Sequence, residues 1–102
     1  MDIREFGQLA SSLAGVRQVS RDGLLRWQHG GRLVARQLDE TSVVIRTPFD
    51  TRDVLLQQFP DTLTVPARFR KHMMVVADLA AGNADAVDDA VRAAWRHQAQ
   101  QQ

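Results

Sequence analysis

Between Leu24 and Thr47 the chain alternates apolar and polar residues through three short segments. Leu25, Trp27, Leu33, Ala35, Val43 and Ile45 share one parity, while Arg26, Arg32, Arg36 and Arg46 share the other. Successive side chains of a pleated strand point to opposite faces, so this pattern predicts a sheet with one apolar and one arginine-bearing face. The alternation places strands over residues 24–29, 32–38 and 42–47. Gly30-Gly31 supplies the positive φ angles of a two-residue hairpin, and Asp39-Glu40-Thr41 turns the chain into the third strand.

The flanking segments read as helices and further strands. Ile3, Phe6, Leu9, Ala10 and Leu13 recur at helical spacing, with Asp2 as an N-cap and Gly15 where the helix should stop. Residues 16–23 read as a polar connection. Pro48 ends the third strand, and Asp50-Thr51-Arg52-Asp53 opens a second helix whose apolar side is Val54, Leu55 and Phe59. Residues 63–65 fit a short edge strand, and residues 72–79 a longer one. Val87, Ala90, Val91, Ala94 and Trp95 then form one stripe of a final helix, with Asp85, Asp88 and Asp89 near its start and Arg92, Arg96 and His97 toward its end. The glutamine-rich residues 98–102 are expected to fray.

These parts predict one α+β domain spanning residues 1–102. A curved antiparallel sheet of four to five strands should carry three helices on one face, in the order α-β-β-β-α-β-(β)-α. Trp27 and Trp95 are expected in the core. At 102 residues the chain can bury one core without staples, and it has no cysteine, which removes disulfides and thiolate chemistry. A charged Met1-Asp2-Ile3-Arg4-Glu5 start and the lack of any long apolar run point to a cytoplasmic protein without a membrane partner.

Reaction chemistry finds little support. His29, His72 and His97 show no metal-ligand spacing, and Asp85, Asp88 and Asp89 suit a helix start better than a cation loop. Asp39 and Glu40 are solvated neighbours in a turn. None of the serines lies in a nucleophile elbow, and Gly30-Gly31 lacks the phosphate-loop pattern. No enzyme, metal or cofactor is expected.

The charge distribution is more informative than the net charge of +1. Residues 17–71 carry ten basic against six acidic groups, whereas residues 78–102 carry four acidic against two basic. Arg26, Arg32, Arg36 and Arg46, extended by Arg68, Arg70 and Lys71, are the candidate nucleic-acid contacts, through neutralised phosphates of double-stranded DNA. On the same parity Val34, Val44, Met74 and Val76 would form an apolar centre ringed by charge. That mixture equally fits a protein partner or self-association.

Several short motifs resemble the MmcQ/YjbR-like family. Trp27-Gln28-His29-Gly30-Gly31-Arg32-Leu33-Val34-Ala35 is similar to its aromatic-x-V-x-G-K-x-F-A hairpin, and Leu13-Ala14-Gly15-Val16 to its L-P-G-V. Val44-Ile45-Arg46-Thr47-Pro48 resembles its third strand, and Lys71-His72-Met73 the stretch ahead of its last strand. The resemblance implies a frataxin-like α+β fold. It also implies a DNA-binding role, by analogy with the double-wing sheet of a phage transcription activator.

Overall fold

The computed structural model describes residues 1–101. In chain order the elements are α1 (Ile3–Ser11), β1 (Val16–Arg21), β2 (Leu24–His29), β3 (Arg32–Gln37), β4 (Ser42–Ile45), α2 (Phe49–Gln58), β5 (Leu63–Thr64), β6 (Val75–Asp78) and α3 (Ala84–Ala99). A single 3-10 turn, Ala67–Phe69, lies between β5 and β6. The strands form one open antiparallel sheet in the order β1-β2-β3-β4-β6-β5. The α+β class is as expected, with six strands instead of four or five.

The additional strand is β1, which replaces the expected polar connection. It pairs with β2 along its whole length, from Val16 opposite His29 to Arg21 opposite Leu24. Asp22 and Gly23 form the two-residue turn, with φ of 54° and 79°, the double positive φ that favours Asp-Gly in hairpins. As an edge strand with five of its six residues exposed, β1 has little need for apolar alternation, so its periodicity is weak. The last expected strand is shorter than 72–79, because the Met74 N–H turns back onto the His72 carbonyl and β6 begins only at Val75.

α1 and α3 pack across one face of the sheet, and α2 lies against α3 and β5. One core joins Phe6, Ala10 and Leu13 of the first helical segment to Trp27, Ala35, Val43 and Ile45 of the sheet and to Val87, Ala90, Val91 and Ala94 of α3. α1 begins with a reciprocal capping box: Asp2 accepts from the Glu5 N–H at 2.8 Å, and Glu5 accepts from the Asp2 N–H at 3.1 Å. Its Phe6 ring meets Trp27 edge-on, with centroids 4.9 Å apart. Gly7 permits this approach, since a Cβ there would stand 2.8 Å from Gln18 Oε1, the atom that accepts the Trp27 indole N–H at 2.9 Å.

Trp95 is only half-buried, contrary to expectation, and its indole N–H donates to the Ala14 carbonyl at 2.8 Å. α3 also runs further than expected. Gln98 is buried and donates to the Leu33 carbonyl at 2.7 Å, which holds the last turn of the helix in place. The expected fraying at 102 lies outside the described residues. Among the described residues, no helix is long and apolar enough to cross a membrane.

A bulge between β2 and β3 sets which side chains share a face. Arg26 pairs with Arg36 and Trp27 with Ala35, but Gln28 pairs with Leu33, leaving Val34 as an extra residue in β3. Strict alternation therefore ends at Val34. Val34 joins Ala35 in the helix-side core, whereas Leu33 lies outside that core and only half-buried. Arg32 is correspondingly moved to the helix side, where its guanidinium reaches Gln101 Oε1 at 3.5 Å.

Candidate functional site

The face of the sheet away from the helices is built by strand alternation from the β1–β2 hairpin outward. Arg26 stands opposite Val19 in β1 and opposite Arg36 in β3, so all three side chains share this face. Arg17 and Arg21, two residues either side of Val19, fall on it as well. Four arginines thus lie on three adjacent strands. Val19 and Leu24 are exposed among them.

Further along the ladder, Val44 pairs with both Arg36 and Val76 on this same face. Val44 is nevertheless fully buried and Met74 nearly so, although neither belongs to the helix-side core. The segment 66–74 crosses the sheet here as a strap. It brings Phe69 beneath the Arg36 guanidinium, 5.8 Å from the ring centroid, with the Arg68 guanidinium 4.6 Å from the same centroid. Arg52 of α2 clamps the strap, donating through Nη1 to the His72 carbonyl at 2.7 Å and the Arg70 carbonyl at 3.3 Å.

The group formed by Arg26, Arg36 and Arg68 is electrostatically unrelieved. Among the described residues no carboxylate forms an ion pair with any of the three, nor with Arg17 or Arg21. Burial pushes the Arg36 guanidinium pKa down, and the neighbouring charges of Arg26 and Arg68 lower it further. An arginine does not lose its proton at any ordinary pH, so this shift is a cost of holding the cation in place. Arg26 Nε is buried and has no hydrogen-bond partner among the described residues.

Nearby acids are occupied locally. Asp39 accepts from the Thr41 N–H at 2.9 Å and the Ser42 hydroxyl at 2.7 Å, which holds its carboxyl below the usual carboxylate range. Asp78 accepts from the N–H groups of Ala80 and Ala81.

The seven expected nucleic-acid contacts therefore divide. Arg26, Arg36 and Arg68 come together on the sheet face. Arg32 and Arg46 instead line a separate cleft with Leu33 and Gln98, beside the C-terminal turn of α3, where the helix dipole favours cations. Arg70 and Lys71 are exposed on the strap, and only the backbone of Arg70 makes a described contact. Of the four expected interface residues, Val34, Val44 and Met74 are covered within the chain, and Val76 is half-buried.

Arg17 and Arg21 are the residues that sequence reasoning missed. The Asp22-Gly23 dipeptide was the signal that could have revealed them, because it pairs the preceding six residues with β2. Among the described residues no three His, Asp or Glu side chains are grouped to hold a metal ion.

No family model, curated protein or solved structure matches this chain.

Proposed function

We propose that this chain is a non-enzymatic nucleic-acid-binding protein whose sheet face lies against the phosphates of duplex DNA. The observation that carries the reading is the shared placement of Arg17, Arg21, Arg26 and Arg36 on β1–β3, joined by Arg68, without a carboxylate partner among the described residues. Cations placed opposite one another across a ladder destabilise the free protein, and a polyanion offsets that repulsion. The resemblance to the MmcQ/YjbR-like family supports the same reading, as does a cysteine-free chain suited to the cytoplasm.

Phosphate contact predicts a definite salt dependence. Duplex affinity should fall with salt, and Arg26→Ala/Arg36→Ala should make the log–log slope shallower by about 0.9 for each lost contact. Arg32→Ala/Arg46→Ala should leave the slope unchanged, because those residues sit beside α3. An unaltered slope in the first double variant, or no binding at low salt, overturns the reading.

Self-association or a protein partner on this face is the second reading, favoured by the exposure of Val19 and Leu24 among the arginines. It predicts a concentration-dependent mass in sedimentation that Val19→Asp abolishes. The nucleic-acid reading has the better support, because the larger apolar centre expected at Val34, Val44 and Met74 is already covered.

A further inference from the structure

The arginine face is not uniform, and one end of it is concave. Arg21, Asp22, Leu24, Leu25, Arg26, Arg36 and Gln37 line a cleft of about 380 Å³ beside the β1–β2 turn. Arg21, Arg26 and Arg36 line it from three adjacent strands, and the last two are direct cross-strand neighbours. Gln37 is committed elsewhere: it accepts from the Leu25 N–H at 3.1 Å and donates to the Asp39 carbonyl at 3.2 Å. The one acid at the rim, Asp22, makes no ion pair with these arginines.

The geometry points to a discrete phosphate site in this cleft, in which Arg26 and Arg36 grip one phosphate group from both sides and Arg21 closes over it. The inference rests on the reading that this face meets phosphates and narrows it to a single seat. Guanidinium forks suit it, because each can donate two parallel hydrogen bonds to phosphate oxygens, and a tetrahedral anion accepts from several directions at once. Leu24 forms an apolar side of the cleft, where screening by water is weaker and each charge-assisted bond counts for more. Arg17 and Arg68 lie outside the lining, so they would supply attraction along the face without gripping this group. A phosphodiester of nucleic acid and the phosphate of a small metabolite offer the same chemistry here.

Thermal unfolding and Nε–Hε NMR cross-peaks, followed with inorganic phosphate against sodium chloride at matched ionic strength, test the site. Phosphate should raise the melting temperature by several degrees at about tenfold excess over its Kd, beyond any effect of chloride. The Arg26 and Arg36 cross-peaks should move saturably, a measurement on the unaltered chain that needs no variant to fold. Arg26→Lys and Arg36→Lys keep the charge but lose the fork, and each should weaken phosphate binding by about tenfold or more. Arg46→Ala, in the separate cleft beside α3, should bind phosphate as the parent does.

Equal effects of phosphate and chloride, or full binding in both lysine variants, overturn the site. A 12-base-pair duplex separates the two levels of the proposal. If the duplex binds with a steep salt slope while phosphate has no specific effect, the seat is wrong and the polyanion reading stands. If phosphate binds as expected and no duplex binds at low salt, the seat stands and serves a small phosphorylated ligand.

Discussion

Arg26 and Arg36 stand directly opposite one another across the β2–β3 ladder, on the face of the sheet that the helices leave uncovered. Like charges in that position cost a sheet a few tenths to about 1 kcal/mol, and part of the Arg36 side chain is also withdrawn from water. Arg36→Met keeps a stem of similar length over Phe69 while removing the charge. Urea unfolding at low salt should show the variant more stable by up to about 1 kcal/mol. The gain should shrink at 1 M salt, where the Debye length is about 3 Å. Lower stability at every salt concentration would mean that Arg36 is held for packing.

Val44 provides the converse case. It lies on the same face but is fully buried, which the strap at 66–74 explains. Val44→Ala should therefore cost about 2 kcal/mol, well above the ±0.5 kcal/mol typical of a surface position. Equilibrium denaturation distinguishes the two, and a surface-like value would mean that the strap does not cover this residue.

Arg52 ties the strap to α2 through two carbonyls. Arg52→Ala removes charge-assisted bonds and should lower stability by about 1–2 kcal/mol. Its specific signature is faster amide hydrogen exchange in residues 69–76 than in α1. Uniform acceleration across the chain would place the role of Arg52 elsewhere.

Asp39 gives an acid-side prediction. Hydrogen bonds from Thr41 and Ser42 lower its pKa in the folded chain below the unfolded value of about 3.9. The lower folded pKa means that the ionised form favours folding. Its contribution is complete above the unfolded pKa and is lost as pH falls through the folded one. The unfolding free energy of Asp39→Asn should therefore decline less steeply than the parent's below pH 4. Parallel declines would show that these hydrogen bonds do not favour the carboxylate.

The strongest sequence signals correspond to the parts of the fold that bury one face. Trp27 reveals its strand because Arg26 and Gln28 flank it, Ala35 and Ile45 do so through Arg36 and Arg46, and the Val87–Ala94 stripe reveals α3 by its helical spacing. β1 is obscured because an exposed edge imposes no such alternation, although Asp22-Gly23 marks its turn. The grouping of the arginines was only half legible. Parity correctly unites Arg26 with Arg36, but it miscounts Arg32, because no local residue pattern announces that Val34 is an extra residue in its strand. The burial of Val44 was illegible for another reason: the strap, whose Phe69 reaches Arg36, the cross-strand neighbour of Val44, comes from a distant segment with no periodicity.

The bulge at Val34 makes the partition of charge on this domain depend on one residue of chain length. Inserting one residue between Trp27 and Gln28 would give Val34 a partner, restore strict alternation through β3 and carry Arg32 around to the side of Arg36, while Leu33 turned inward. Arg32 would then leave Arg46 and join the arginines of the uncovered face. Natural length variation at this point would therefore redistribute surface charge without any change in composition, a route to altered partners that an inventory of substitutions would overlook.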